Sequence, residues 1–492
     1  MAHPLVYELN ARHWLRELST RIGQRVTLDS VPETEIKTWE RLGFSHVWLM
    51  GIWEIGPLAR QVARQNHALH ELCREALPDF HIDDLSGSPF AMARYKVPRE
   101  LGGASGLKTF RRQLNRRGLG LVLDFVPNHA GLDHPWIRSH PHRFVQSPAP
   151  APGTFRAEGA KPERWLAHGR DPNFPPWNDT VQLDYRRAET RAAIVDELLS
   201  VLERCDGVRC DMAMLVLNDV FERTWSQFPC HEPAPAREFW AEAIARCKQR
   251  HPHSLFLAEA YWDLEERMQN LGFDYTYDKR LYDRLVARDN PGVQRHLASQ
   301  APAFTAASAH FLENHDEIRI TTLLSPSEHR CAAWLMLALP GLRLIHDGQM
   351  QGFCLRTPVQ LGRRWQEAIQ PQIQSAYAEL LAALRRSAIG TGEPHLLAPR
   401  PAWPDNPTWQ NIVAIQWQAL PRKFDLAVVN LASHRCQCYI PLVVPQLERY
   451  NWRMRDLLGT EDYERVGDDL HRQGLYLDVP PHAAQLFHFN PA

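Results

Sequence analysis

Three carboxylates stand out because each follows a short apolar run of the kind that forms a buried strand. Asp211 ends the run GVRCD, Glu259 ends LFLAE, and Asp316 follows FLENH. Buried parallel strands are near-continuous apolar runs of about this length. In a parallel barrel the residues at the carboxyl ends of the strands share one face, so these three carboxylates are predicted to form one site.

A cation beside the first carboxylate indicates what chemistry the group would perform. Arg209 and Asp211 are two residues apart, so on a strand both side chains point to the same face. We expect the arginine to keep Asp211 ionised, as a nucleophile must be, and the apolar run before Glu259 to raise the pKa of that acid. Two carboxyls tuned in opposite directions are what cleavage of a glycosidic bond requires.

Each of these residues, taken singly, also has a plain structural interpretation. An aspartate at the end of a strand often caps the following helix. Arg209 alone suits a structural ion pair, and His129 and His315 alone suit ordinary loop or core histidines. The catalytic interpretation is favoured because four loops carry the right residue types in the expected order.

Alternating segments supply the elements that must position these residues. Amphipathic stretches at 189–205 and 237–250 carry apolar residues at helical spacing. Between such stretches lie the apolar runs HVWLM (46–50), GLVLD (120–124), DGVRCD (206–211), SLFLAEA (254–260), AHFLEN (309–314) and LRLIHD (342–347). Alternating β and α units predict an α/β protein with a parallel sheet, which eight such units close into a (β/α)₈ TIM barrel.

Two stretches break the alternation and divide the chain into four segments. Residues 130–183 are rich in Pro, His and Trp without a clear period, which predicts an excursion built on a βα loop of the barrel. After residue 390 the sequence becomes Pro-punctuated alternating segments, which predict an antiparallel β-sandwich over 391–492. The barrel is then expected over 1–129 and 184–390.

Composition restricts the partners of the chain. The 56 Lys and Arg nearly balance the 57 Asp and Glu in 492 residues, so no wide field exists to collect nucleic acid or anionic lipid, and a neutral small molecule is the expected ligand. Nine scattered cysteines without a CxxC pair argue against a disulfide framework or a zinc site. The N-terminus lacks the apolar region of a signal peptide, so we expect a cytoplasmic protein. No cofactor is expected, and the oligomeric state is left open.

At these residues the sequence resembles glycoside hydrolase family 13, the α-amylase family. The resemblance covers nearly the whole chain and implies a catalytic barrel, an inserted domain B and a C-terminal β-sandwich. The segments similar to conserved regions of the family are LDFVPNH (123–129), GVRCDMAM (207–214), AEAYW (258–262) and FLENHD (311–316), with further similarity at QLDY (182–185) and ALPGLRLIHDGQ (338–349).

The resemblance also implies roles for individual residues. Asp211 would be the nucleophile, Glu259 the general acid/base, and Asp316 the carboxylate that holds the 2- and 3-hydroxyls of the sugar. The implied substrate-binding and supporting residues are Phe90, Asp124, His129, Arg209 and His315. No metal is expected, because residues 130–183 lack a cluster of acids, although Asn128 matches a residue type used at the calcium site of the family.

Departures from the family pattern bear on the substrate. Arg94 stands where the family often has an aspartate, and either binds an anion or is an exposed ion-pair partner. Gln349 replaces an acid found in many members, which argues against endo-acting cleavage of starch. The insert 54–85 in the second loop predicts a pocket for short substrates. Trp262 is either a platform for a sugar ring or a residue packed at the barrel rim.

The leading hypothesis is a retaining α-glycosidase that acts on α-glucosidic bonds of short oligosaccharides through a covalent glycosyl-Asp intermediate. Transglycosylation by the same mechanism is the alternative, since the two differ only in whether water or a sugar hydroxyl intercepts the intermediate. The stretch GSPF (87–90) is similar to that of some transferases of the family. A non-catalytic sugar-binding member is disfavoured because all three carboxylates are present.

Overall fold

The computed structural model describes residues 3–157 and 164–492, and its centre is a closed barrel of parallel strands. The first strand pairs with both the second and the eighth, which closes the barrel. The fold predicted from the sequence, a (β/α)₈ barrel of the α/β class, is confirmed. The strands are β1 (Leu5–Asn10), β2 (His46–Met50), β3 (Gly120–Phe125), β4 (Gly207–Cys210), β5 (Leu255–Ala258), β6 (Tyr275–Tyr277), β7 (Ser308–Phe311) and β8 (Leu342–His346).

Alternate residues of these strands fill the barrel interior. The buried apolar side chains there include Val6, Trp48, Val122, Leu257, Tyr275 and Phe311. Side chains two positions apart on a strand share a face, so the residue two positions further along four of these strands also points inward, nearer the carboxyl ends. Those four residues are Glu8, Asp124, Glu259 and Tyr277, and all four are buried. The barrel therefore places polar groups on top of an apolar plug.

Helices and short loops follow the strands. No helix within 3–157 and 164–492 is both long and apolar enough to cross a bilayer. The helices are Ala11–Ile22, Glu33–Leu42, Pro57–Gln65, His67–Ala76, Gly103–Asn115, Trp136–Ser139, Ala188–Leu202, Asn218–Trp225, Phe239–Arg250, Glu265–Asn270, Lys279–Val286, Asn290–Ser299, Pro302–Ala306, Ile320–Leu323, Pro326–Ala338, Pro371–Arg386 and Gly467–Gln473.

The two stretches that break the alternation form antiparallel sheets. After β3, the strands Gln146–Ser147, Thr154–Arg156 and Trp165–Ala167 make one sheet, and His129–Gly131 pairs with Thr180–Gln182. The C-terminal part contains a six-stranded sheet of Glu393–Leu397, Ile412–Leu420, Lys423–Asn430, Ala484–Pro491, Asn451–Asp456 and Asp462–Val466, and a three-stranded sheet of Arg400–Pro401, Cys436–Ile440 and Leu475–Val479. The antiparallel C-terminal sheet is confirmed, whereas the four segment boundaries remain predictions.

The insert in the second loop is helical, which the sequence had not indicated. Its two helices, Pro57–Gln65 and His67–Ala76, share a small apolar cluster with Leu361 from the loop after β8. Arg363 of that loop pairs with Asp84 at 2.6 Å, and Leu85 forms a backbone bridge with Leu361. Because apolar packing and an ion pair join the second and eighth loops, the insert forms a fixed wall at one side of the barrel mouth. We call residues 57–85 with 357–363 the wall.

Candidate active site

A single buried arginine organises the carboxylates at the barrel mouth. The guanidinium of Arg209 is fully buried and donates to Asp211 at 2.8 Å and to Glu259 at 2.6 Å. Its Nε donates to the hydroxyl of Tyr277 at 3.3 Å, and Asp124 lies 3.8 Å from Nη1. The arginine thus holds two predicted catalytic carboxyls on neighbouring nitrogens, which keeps them a few ångströms apart.

The strand register explains this closeness. In the pairing of β4 with β5, Cys210 is opposite Ala258, so the next residues, Asp211 and Glu259, leave the two strands at the same level. The backbone N–H of Met212 also donates to Glu259, at 2.8 Å, and Met212 has a left-handed φ of 42°. Such strain in a non-glycine residue persists only where surrounding contacts enforce it. The turn after β4 is therefore shaped to bind the carboxyl at the end of β5.

The ionisation of Asp211 differs from the sequence expectation. Burial raises the pKa of Asp211 to about 7, and the charges of Glu259 and Asp124 add to this, while Arg209 lowers it. Burial likewise raises the pKa of Asp124 to about 6. The expectation that Arg209 alone keeps Asp211 fully ionised at neutral pH is wrong, because one buried cation serves three buried carboxyls.

On the opposite side of the mouth, a histidine lies between two carboxylates. His315 Nδ1 is 2.5 Å from Glu8 of β1, and His315 Nε2 is 3.0 Å from Asp316. Burial lowers the pKa of His315, but Asp316 and Glu8 outweigh it and raise that pKa well above its ordinary value. Desolvation by the surrounding protein raises the pKa of Asp316, but the imidazolium of His315 outweighs this and lowers that pKa. Asp316 is thus an anion whose side chain is still 47% exposed to the mouth.

The two remaining predicted contacts lie around this centre. The ring of Phe90 packs against His315 with a centroid separation of 5.3 Å, and the Arg209 guanidinium lies 5.3 Å from the same ring. His129 is buried against Trp177 at 5.0 Å, and burial lowers its pKa to about 3, so its imidazole is neutral. The structure therefore brings all eight predicted site residues to the barrel mouth, with Asp124 and Arg209 beneath the others. Their catalytic roles remain predictions.

The departures from the family pattern have distinct locations. Arg94 is exposed on the strand Met92–Arg94, which pairs with Glu54–Ile55. Gln349 is buried and donates to the hydroxyl of Tyr377 at 2.6 Å, so it supports the loop after β8. Trp262 is 38% exposed, which contradicts complete packing at the rim.

The side-chain atoms of Asn128 are hydrogen-bonded to another side chain of the protein. Its side-chain oxygen accepts from Gln182 at 3.0 Å, and its amide nitrogen lies 3.3 Å from the Gln182 oxygen. Within residues 3–157 and 164–492, no group of three or more His, Cys, Asp or Glu is placed to hold a metal ion. Asn128 therefore joins the segment after β3 to the strand Thr180–Gln182.

Three residues of the site were missed in the sequence. Glu8 holds His315, Tyr277 accepts from Arg209, and the hydroxyl of Tyr261 donates to Glu259 at 2.9 Å. A signal for Glu8 exists, because it is the single acid in the apolar run LVYEL. Tyr261 and Tyr277 carry no such signal, because a tyrosine in an apolar run is typical of core packing.

This arrangement suits acid-assisted displacement at a carbon. One carboxyl can attack while its neighbour, held at the same level, delivers or accepts a proton. The imidazolium of His315 and the anionic Asp316 face them and offer a donor and an acceptor to hydroxyl groups. Asp211, Glu259 and His315 are held by hydrogen bonds or ion pairs before any ligand arrives, as electrostatic stabilisation of a transition state requires.

Comparison with known proteins gives one family. Residues 92–377 match the family model for the alpha amylase catalytic domain. Alpha-amylase MalA of Haloarcula japonica is 24% identical over 300 residues, which are 59% of this chain and 39% of that protein. An alpha-1,4-glucan:maltose-1-phosphate maltosyltransferase of Burkholderia pseudomallei is 27% identical over 53% of this chain and 20% of that protein. The chain thus spans well under half the length of these two curated relatives.

Solved structures show the same fold. A maltogenic alpha-amylase, AmyB, of Thermotoga neapolitana superimposes with a TM-score of 0.70 at 18% identity, covering 99% of both chains. An alpha-amylase of Geobacillus thermoleovorans complexed with acarbose gives a TM-score of 0.66 at 16% identity, covering 99% of this chain and 98% of that one. Because the family model matches more than half of the sequence, and the barrel and its carboxylates are in place, this chain belongs to the α-amylase family, glycoside hydrolase family 13.

Proposed function

We propose that this protein is a retaining α-glycosidase that acts on α-glucosidic bonds of short oligosaccharides. The observation that carries the proposal is the single guanidinium of Arg209, which holds Asp211 and Glu259 at the same level of adjacent strands. Retaining enzymes need a nucleophile and an acid about 5–5.5 Å apart, with no space for water between them. Carboxyls on neighbouring nitrogens of one arginine suit that spacing.

The mechanism assigns one step to each carboxyl. The Asp211 carboxylate attacks the anomeric carbon, the bond to the leaving oxygen breaks, and Glu259 gives its proton to that oxygen. Water or a sugar hydroxyl then attacks the glycosyl-Asp211 ester, Glu259 takes the proton, and the electron pair of the ester bond returns to Asp211. Because burial raises the pKa of Asp211 to about 7, the attacking carboxylate forms as the pH rises through that value.

On the other side, Asp316 and His315 are placed to hold the glycone. An anionic carboxylate accepts hydrogen bonds from two adjacent sugar hydroxyls, and the imidazolium donates one. The ring of Phe90 packs on His315 and presents an apolar edge to the sugar. The imidazole held between Glu8 and Asp316 is placed to favour a distorted glycone in the transition state.

The wall supports the restriction to short substrates. The loop after β8 that forms it also lines the small cavity around His315, through Arg356, Thr357 and Val359. The wall therefore stands on the glycone side, where it blocks extension of a chain beyond the sugar held by Asp316. We propose that the enzyme removes units from a chain end.

The alternative, transglycosylation, uses the same intermediate. It is favoured by a groove beside Trp262, on the side of Glu259, where an acceptor sugar would lie. Whether the intermediate is hydrolysed or transferred then depends on whether water or a sugar occupies that groove.

Stereochemistry tests the proposal directly. We expect proton NMR of the first turnovers of an α-glucoside, recorded before mutarotation, to show the α-anomer as the initial product. An initial β-anomer would mean direct attack by water and would overturn the role of Asp211. Failure to cleave maltose, trehalose, sucrose, isomaltose and maltooligosaccharides would contradict the proposed function as a whole.

A further inference from the structure

A second concave surface adjoins the acid side of the site. It is a groove of about 660 Å³ between the segment after the strand Trp165–Ala167, the helix Asn218–Trp225 and the loop after β5. Its polar and aromatic lining includes Arg170, Asn173, Asp219, Arg223, Gln227 and Trp262. Trp262 follows the predicted acid by three residues, and its neighbour Tyr261 donates to Glu259. The groove therefore begins at the loop that follows Glu259.

The indole of Trp262 is held open to this groove. Trp262 and Asp263 have consecutive left-handed φ values of 64° and 65°, which non-glycine residues rarely adopt in succession. Backbone strain of this kind persists where it serves a ligand or a switch. The indole is 38% exposed, and a flat aromatic face suits the apolar C–H face of a sugar ring. We infer that the strained turn presents Trp262 to a sugar.

The groove carries an excess of positive charge. Arg223 is exposed, and its side chain makes no ion pair or hydrogen bond with the residues at 3–157 and 164–492. Arg170 donates to the carbonyl of Thr224 at 2.8 Å, which keeps a second cation in the lining. The acid among the described lining residues, Asp219, pairs with Arg267 outside the groove at 2.8 Å. A neutral ligand would leave this excess charge uncompensated.

We propose that the groove beside Trp262 binds an anionic sugar, whose ring stacks on the indole and whose phosphate or carboxylate group pairs with Arg223. This rests on the proposed function. In cleavage, the anionic sugar leaves after Glu259 protonates its bridging oxygen. In transfer, a hydroxyl of the anionic sugar attacks the anomeric carbon of the glycosyl-Asp211 ester, Glu259 takes the hydroxyl proton, and Asp211 departs as the carboxylate.

Acceptor competition tests the inference in the intact protein. An aryl α-glucoside serves as donor, and glucose, glucose 6-phosphate and glucuronate compete as acceptors at equal concentration, with products separated by charge. We expect transfer to the anionic acceptors to exceed transfer to glucose about tenfold, the effect of one charge-assisted hydrogen bond. The phosphate and carboxylate arms distinguish which anion the groove prefers.

Variants of the cation sharpen the test through the same product ratio. Arg223→Gln should bring the ratio of anionic to neutral products close to one, while Arg223→Lys should keep most of it because the charge remains. Arg116→Gln is the matched control, since Arg116 is an exposed arginine after the helix Gly103–Asn115, on the far side of the barrel. It should leave the ratio unchanged.

Each remaining outcome counts against the inference. A ratio of one or less in the unaltered protein, hydrolysis without transfer to any acceptor, or an unchanged ratio in Arg223→Gln would overturn the groove assignment while leaving the proposed function intact. Absence of cleavage of any donor would instead contradict the proposed function and the groove assignment together.

Discussion

The two sides of the candidate site differ in how their polar groups are bound. On the glycone side, Glu8 and Asp316 hold His315, and the wall is fixed by packing and an ion pair. On the acid side, Trp262 is exposed on a strained turn, and the Arg223 side chain makes no ion pair or hydrogen bond with the described residues. In a site built this way, the groups that bind the glycone are positioned before it arrives. The leaving or acceptor sugar, in contrast, meets side chains that have no partner among the described residues until it binds.

We expect the largest effect from replacing the carboxylate that is proposed to attack the sugar. We expect Asp211→Ala to reduce turnover by on the order of 10⁴-fold or more on every substrate, because a covalent intermediate cannot form without it. Asp196→Ala is the control, since Asp196 is an exposed partner of Arg246 on the helix Ala188–Leu202. Single-turnover rates and circular dichroism check the prediction. A loss of only a few-fold in a folded variant would show that another group attacks the sugar.

A smaller and more selective loss is expected on the acid side. Glu259→Gln should lower the rate on natural disaccharides by roughly 10² to 10⁴-fold, the usual contribution of a positioned acid. An activated aryl glucoside needs little protonation and should keep a larger fraction of its glycosylation rate. Single-turnover measurements on both substrates decide this. Equal losses would remove Glu259 from the role of acid.

The same variant has a second expected signature, in the pH profile. Because burial and Glu259 raise the pKa of Asp211 to about 7, the protonated, non-nucleophilic form persists until that pH, and kcat/KM should rise as pH increases through about 7. Glu259→Gln removes the neighbouring negative charge, so the rise should move to lower pH on the aryl glucoside. If the acid limb of the pH profile did not move, the effect of the Glu259 charge on the pKa of Asp211 would be contradicted.

On the glycone side, Glu8→Gln tests whether the histidine must be charged. We expect kcat/KM to fall about 10- to 100-fold, the range for loss of one charge-assisted hydrogen bond. Glu8 raises the pKa of His315, so its removal should let the imidazolium lose its proton at a lower pH, and the alkaline limb of the profile should shift downward. Glu8→Asp keeps the charge and serves as the control. A fall in rate without that shift would indicate a packing role alone.

The smallest effect concerns the wall. If the wall blocks extension beyond the glycone, maltotriose should be cleaved several-fold faster per accessible end than soluble starch is cleaved per bond. Initial rates of reducing-sugar release measure both. A starch rate equal to or above that of maltotriose would show that the barrel mouth is an open cleft and would remove the contrast between the two sides.

Much of this architecture could be predicted from local patterns. The apolar runs that end in Asp211 and Glu259 became β4 and β5, and their polar ends lie together because parallel strands share an edge. The short strand Tyr275–Tyr277 was not identified, since three residues are too few to show a period. The helices of the insert were missed because their apolar faces meet residue Leu361, far along the chain.

The electrostatics of the site could not be read from the sequence. The proximity of Arg209 to Asp211 is visible as a spacing of two residues, but burial of the pair and the approach of Glu259 depend on the closed barrel. The direction of the pKa shift in Asp211 was therefore misjudged. Likewise, exposure of Trp262 depends on a left-handed turn that no residue type in AYWD announces.

The contact between Glu8 and His315 joins residues 307 positions apart, across the seam where β1 pairs with β8. During synthesis, the first strand must wait until the last barrel strand has emerged before it acquires its second neighbour. Contacts of such long sequence separation form late and slowly. An N-terminal fragment that ends before residue 342 would contain all three predicted catalytic carboxylates and still lack the strand that closes the barrel. We therefore expect a ribosome-bound chain that lacks β8 to contain these carboxylates without the closed barrel that positions them.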